Sequence, residues 1–382
     1  MTSKINIFKR IQKASLLTVA FFVIFSCNFS AFAQEAHVAE AHQDTMATAV
    51  TAHGETEQHV STDGPVDITK VAFEHILDSH SWHLWGEGHE SVAIPLPVIL
   101  YSSTKGLQVF SSARFEHGHA SYNGYSLEDE KVISEDTTEN VYDISITKNV
   151  AQMLISAIVL FLLFTSIAKS YKTTGVSSAP TGKQSFFEPL ITFVRDDIAK
   201  GNIGHGYEKF VPYLLTVFFM ILINNVFGLI PIGANLTGNI AFTLVLSVAT
   251  LIITNINGNG HYWHHIFMPP CPWWLYPIMI PIEVIGILTK PFALMIRLFA
   301  NISAGHIIVI SLIGLIFVFK TAYIAPVSVA FALFIDVLEI LVAFLQAFIF
   351  TMLTALFIGS AVADHNEDGA HTEDDYKASN NH

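Results

Sequence analysis

The chain has 382 residues, of which 52% are apolar and only 13% charged, and its formal net charge is -13. Soluble domains carry about 25% charged residues; here the apolar residues fall in long blocks, which describes a polytopic membrane protein. The acidic balance resides mainly in residues 34–147 and in the tail after Ala363, and it argues against nucleic acid as a partner.

Residues 1–33 read as a signal peptide. Lys4, Lys9, Arg10 and Lys13 precede an apolar run from Leu16 to Phe25, and Ala31-Phe32-Ala33 fits a small-x-small cleavage site. A lipid-modified Cys27 and an uncleaved anchor are the rival readings. Without Cys27 only Cys271 remains, so no internal disulfide is expected. Residues 34–65, rich in Ala, His, Thr and Glu without an apolar period, are expected to be a disordered exported linker.

Residues 66–145 read as a small exported α+β domain. A short helix is expected over Asp67–His80, and a β-hairpin from Ala93–Ser103 and Gly106–Phe115 around Thr104-Lys105-Gly106. This exported region holds ten of the 18 histidines. The pairs His80/His83 and His117/His119 lack a Cys or acidic ligand at a diagnostic spacing, so no metal site and no cofactor is expected.

A membrane domain follows over residues 146–363, then an acidic tail over 364–382. Its expected spans are Asn149–Ala168, Phe210–Ile230, Ile240–Ile256, 282–319 and 326–362. Lys169, Lys172, Lys183, Arg195, Lys200 and Lys209 all lie between the first two, which places that loop in the cytoplasm. The mature N-terminus is then outside and the tail cytoplasmic. A continuous helix of ~37 residues would reach ~55 Å, nearly twice the ~30 Å hydrocarbon core. The last two segments must therefore tilt steeply, break or project, and the expectation is a pair of strongly inclined helices kinked near Pro291 or Gly305. HYWHHIFMPPCPWWLYP before them suits an interfacial re-entrant segment. The fold class is an all-α polytopic membrane protein of about five helices, the last two long and steeply tilted, with a small exported α+β N-terminal domain.

Polar residues inside the last two segments point to an ion pathway. Glu283, Lys290 and Arg297 recur every seven residues, and Asn301 follows one turn later on nearly the same face. His306 falls on the opposite side of that helix. Asp336, Glu339 and Gln346 punctuate the last segment. Placing a guanidinium in hydrocarbon costs at least roughly 2.5–3.5 kcal/mol, and Arg297 cannot relay a proton because it does not release one. It suits an electrostatic gate that attracts a passing carboxylate, whereas His306 and Glu339 suit stepwise proton transfer. The alternatives are snorkelling or interface pairing for Lys290 and Glu283, a structural ion pair of Arg297 with Asp336 or Glu339, hydrogen-bond glue for Asn301 and Gln346, and a core role for His306. There is no phosphate-cradling loop, nucleophile elbow or H-E-x-x-H motif, so no covalent catalysis is expected.

ILTKPFALMIRLFANISAGHIIV, with LQAFIFTMLTALFI and NNVFGLIP, resembles subunit a of the F-type ATP synthases over roughly Lys183 to Ala363. The resemblance implies a non-catalytic, proton-translocating stator subunit in a bacterial inner membrane. Its implied partners are the c-ring proteolipids, the b subunit of the peripheral stalk and the rest of the synthase. By position Arg297 is similar to the family's essential arginine, Asn301 and Gln346 to its polar neighbours, and Glu283 to the acid of the cytoplasmic half-channel. His306 and Glu339 stand where one version of the family has Glu and His, an exchanged pair. Asn225 and Asn239 resemble polar positions near the outer entrance, with Asp336 a further candidate there, while Gly228 and Thr237 stand where some members have aspartates. From other classes, an ion-coupled secondary transporter and a scaffold acting through the exported domain remain as alternatives; the absence of repeat halves argues against the transporter.

Overall fold

The computed structural model of the chain describes residues 78–85, 92–102, 104–118, 120–128, 131–134, 141–174, 182–230, 233–269, 271–319 and 323–363. The expected signal peptide, linker and acidic tail lie outside the described residues, as does the helix expected over Asp67–His80 except for residues 78–80, which are not helical.

Strand β1 (Ser81–Trp85) pairs antiparallel with β2 (Val92–Pro95). β3 (Pro97–Ser102) lies at the centre of a three-stranded sheet between β4 (Gly106–Ser111) and β7 (Val141–Asp143), and β5 (Tyr125–Glu128) pairs with β6 (Lys131–Ser134). The expected hairpin is therefore present, in a register that sets Pro97 opposite Ser111 and Ser102 opposite Gly106. Its turn ends at Gly106, whose φ of 70° would strain a side chain. Strand alternation turns Val98 and Leu100 inward onto Phe115 and Tyr125. Among the described residues the helical part of this region is the 3-10 segment Ser112–Gly118.

This small region is stitched to the first long helix, α1 (Lys148–Thr174). The first N–H groups of a helix lack internal partners. Here Ser79 O accepts from Lys148 N at 2.8 Å, and the Asp78 carboxylate accepts from Asn149 N at 3.0 Å. Burial pushes the Asp78 carboxyl up from its ordinary range, against those hydrogen bonds. Close by, buried His80 pairs with Asp143 at 2.9 Å. Burial also acts to raise Asp143, but the hydrogen bond and charge of His80, with help from Ser145, hold it below the usual carboxylate value. A depressed carboxylate contributes stability that is present above its unfolded pKa and lost as pH falls through the folded one. Below about pH 4 the Ile144 amide, which donates to Ile99 O, should lose hydrogen-exchange protection. Asp143→Asn should flatten that acid dependence; an unchanged profile would show that the pair does not couple to the sheet.

The remainder is helical: α2 (Lys183–Thr192), a π-helical stretch Phe193–Lys200, α3 (Val211–Gly228), α4 (Ile240–Ile256), α5 (Gly260–Phe267), α6 (Tyr276–Phe319) and α7 (Ala325–Val362). Four of these, α1, α3, α6 and α7, are long and apolar enough to cross a membrane; α4 with α5 makes a fifth span if that pair, bent by 103°, counts as one. The bend is tied to the end of α7, where Asn259 donates to Ala361 O and Val362 O. The first part of the aromatic segment expected to be re-entrant, up to Phe267, thus forms a short helix turned off the span before it.

The two long segments do not break. α6 runs unbroken through Pro281, Pro291 and Gly305 for 44 residues, ~66 Å at 1.5 Å per residue. The expected kink at Pro291 or Gly305 does not interrupt the helix; neighbouring helices in a membrane can accommodate the backbone group that proline leaves free. α3 is the core element: 78% of its apolar window is buried, against 17% for α6 and for α7. The two longest helices therefore offer broad outward apolar faces.

Candidate proton path

Arg297 projects from one such face. It is exposed and makes no hydrogen bond or ion pair among the described residues. The expected alternative of a structural pair with Asp336 or Glu339 is absent. Asn301, one turn on and also exposed, donates to Gln346 Oε1 on α7 at 2.9 Å. Gln346 is 2% exposed, and its Nε2 has no hydrogen-bond partner. This bond joins α6 to α7 beside the guanidinium, as expected of interhelical glue.

On its other side α6 meets a second polar group. A methyl placed at Gly228 would lie 3.9 Å from His306 Nε2 and 3.7 Å from Asn235 Oδ1. His306 therefore faces α3 and the loop after it, a different neighbour from that of Arg297, as the helical spacing implied. One residue earlier, Gly305 leaves no room for a Cβ, because the Glu339 carboxyl of α7 occupies that place. Ser303 Oγ donates to Gly238 O at 3.4 Å. Asn225, buried on α3, donates to Ala343 O of α7 at 3.0 Å, one turn from Glu339.

Four elements thus converge: the end of α3, the loop 235–238, and the middles of α6 and α7. Several buried polar atoms there have no hydrogen-bond partner, among them Glu339 Oε1, Asn235 Nδ2, Thr237 Oγ1 and Asn225 Oδ1. Each such atom costs about 1–3 kcal/mol if left dry. An acid and an imidazole can each take up and release a proton, and the unpartnered amides beside them can hold hydrogen bonds to a neighbour.

Sequence reasoning missed part of this group. Asn235, Ser303 and the close approach at Gly305 carry no signal in a single sequence, because they depend on the uncharged loop folding inward, where residues 234–238 are buried. Asn239, expected near the entrance, instead caps α4: its Oδ1 accepts from Ala241 N at 2.8 Å. Asp336 is half-buried one turn before Glu339.

At the far end of α6, Glu283 is half-buried. Lys290 lies over the Phe357 ring at 5.4 Å, in a cleft lined also by Thr254, Asn255 and Pro291. Its ammonium is engaged with an aromatic face. In the β region, His80 is committed to Asp143, while the side chains of His83, His117 and His119 lie outside the described residues.

Gly305→Ala is a direct test of the α6–α7 contact. The added methyl must push the Glu339 carboxyl aside, and overpacking of this kind costs typically 1–3 kcal/mol. The protein is expected to fold, because a flexible side-chain end can move, but vesicles carrying its assembled complex should lose about tenfold in transmembrane proton flux. Wild-type flux would show that Glu339 is not required in this position.

Residues 150–359 match the family described as ATP synthase A chain, and residues 71–153 match one described as a domain of unknown function. A protein of Chloroherpeton thalassium called ATP synthase subunit a is 53% identical over 59% of this chain and 70% of its own length. One of the same name from Chlorobium phaeobacteroides is 39% identical over 94% of this chain and 97% of its own. A third, from an Anaeromyxobacter species, is 44% identical over 67% of this chain and 62% of its own.

Proposed function

This chain belongs to the ATP synthase A chain family, and on that premise we propose how its residues serve a proton-translocating stator subunit of an F-type ATP synthase. The observation that carries the reading is a permanently charged Arg297 on an outward apolar face, with no partner of its own among the described residues. An unpaired cation in hydrocarbon is costly, so a mobile carboxylate on a neighbouring ring of c subunits completes it.

A proton enters from the outer side through the group around Asn235, Glu339 and His306, with Asn225 and Asp336 at its margins, and neutralises a ring carboxylate. Neutral, that carboxyl can face lipid. After nearly a full turn it reaches the cytoplasmic half-channel near Glu283 and releases its proton. Arg297 pairs with the ionised form and keeps the two half-channels apart, while Asn301 and Gln346 hold α6 and α7 in register beside it. One charge carried through the membrane potential yields ~2.3 kcal/mol per 100 mV, which becomes torque. The subunit itself performs no covalent chemistry; the catalytic step belongs to the rest of the complex, to which the b subunit anchors it.

In this arrangement the mature N-terminus and β region lie outside a bacterial inner membrane and the acidic tail lies in the cytoplasm, as the basic loop between α1 and α3 favours. The ion-coupled transporter reading gains no support from the relatives. Purification under mild detergent tests the assignment: the chain should travel with a proteolipid ring bearing membrane-embedded acids. Substrate exchange by the purified chain alone in liposomes would contradict it.

A further inference from the structure

The three-stranded sheet β4-β3-β7 buries one face and leaves the other open. On the open face Tyr101 is 50% exposed, Leu107 65%, Val109 62%, Tyr142 62% and Ile144 51%, with Ile99 half-buried among them. The register sets Tyr101 opposite both Leu107 and Tyr142, and Ile99 opposite Val109, while Ile144 N donates to Ile99 O. These side chains therefore form one contiguous patch across all three strands, and none is charged. The strand period of two places Asp143 and Gln108 on the opposite side. A patch of this kind marks contact with a protein or with a membrane.

Two observations select the membrane. The first is position. β7 continues its ladder through Ile146 N, which donates to Pro97 O, and α1 starts two residues later. Only three residues lie between Ile144 and Lys148, at most ~14 Å of chain from one to the other, and the headgroup layer adds ~5–7 Å to each side of the hydrocarbon. The patch thus begins within reach of the bilayer surface that α1 enters, and it continues in chain order into the exposed stripe of α1, where Ile158 and Leu162 are 58% and 60% exposed. The second is chemistry. Two tyrosines adjoin on neighbouring strands among aliphatic side chains, the composition that favours the interface between headgroups and acyl chains.

We propose that this sheet face rests on the outer leaflet as a monotopic foot, with Tyr101 and Tyr142 among the headgroups and the aliphatic side chains dipping below them. Binding by apolar insertion takes lipids of any headgroup charge. The proposal rests on α1 as a membrane span and on the outside orientation proposed above, and it stands apart from the proton path.

Nitroxide accessibility in the assembled complex tests it. With Cys27 and Cys271 replaced by Ser, spin labels on Leu107→Cys, Val109→Cys and Tyr142→Cys are compared with one on Ala113→Cys, an exposed position off the patch, in phosphatidylcholine nanodiscs. The three patch labels should collide with oxygen more than with a water-soluble nickel chelate, and the Ala113→Cys label should show the reverse. Adding anionic lipid should leave the pattern unchanged. Nickel access at the patch would overturn the proposal by placing the face in water. Shielding from both reagents would overturn it too, by assigning the face to a protein partner or to another segment of the chain. ATP synthesis is not the readout, so either failure leaves the function of the subunit untouched.

Discussion

Arg297→Ala is expected to abolish proton-driven ATP synthesis, by at least ~100-fold or ~2.7 kcal/mol, while the complex still assembles. Assembly survives because the guanidinium is exposed and bonds to nothing in its own chain among the described residues, so its removal orphans no buried group. Synthesis fails because a neutral side chain neither attracts the ionised ring acid nor bars protons from passing directly between the half-channels. Arg297→Lys keeps the charge but loses the planar fork that grips a carboxylate through two hydrogen bonds, and it too should fall well below wild type. Vesicles energised by an imposed pH difference provide the assay, with ring content measured alongside. Undiminished synthesis in Arg297→Ala would remove the gate.

Exchanging the acid and the imidazole is the second large effect. His306→Glu and Glu339→His should each reduce synthesis by ~10-fold or more, since each leaves two groups of one kind where the relay uses two. The double exchange should recover about tenfold relative to the weaker single variant, a coupling of ~2.7 kcal/mol when each single change costs tenfold, within the range for residues sharing one network. The geometry behind this is the Glu339 carboxyl lying against Gly305, immediately before His306, with the His306 imidazole and Asn235 both close to Gly228. Losses that simply add would mean that the two side chains work independently.

The membrane helices were legible because hydropathy and length report directly on a solvent with no hydrogen bonds to offer. Ile240–Ile256 was delimited to the residue, and the ends of the other spans differ from expectation by at most six residues. The opposed directions of Arg297 and His306 followed from a rigid 3.6-residue period. The hairpin followed from strand alternation and a glycine at the turn. What stayed hidden depends on tertiary approach. Asn239 looked like a path residue, but the backbone at the start of α4 claims its side chain as a cap. The convergence of Asn235 and Glu339 around the Gly305–His306 turn requires a loop to fold inward and two helices to touch at a glycine, and neither leaves a periodic trace. Arg297 lies between these cases: its placement announced an unusual cost, and the structure adds that no described residue of the chain meets it.

The most direct measurement is the distance from the Arg297 guanidinium to the nearest ring carboxylate in a cryo-EM structure of the assembled complex. The account predicts a carboxylate of the ring within ~4 Å, with Asn301 and Gln346 still bonded alongside. A guanidinium held by Asp336 or Glu339 of its own chain, or turned away from every ring acid, would contradict it.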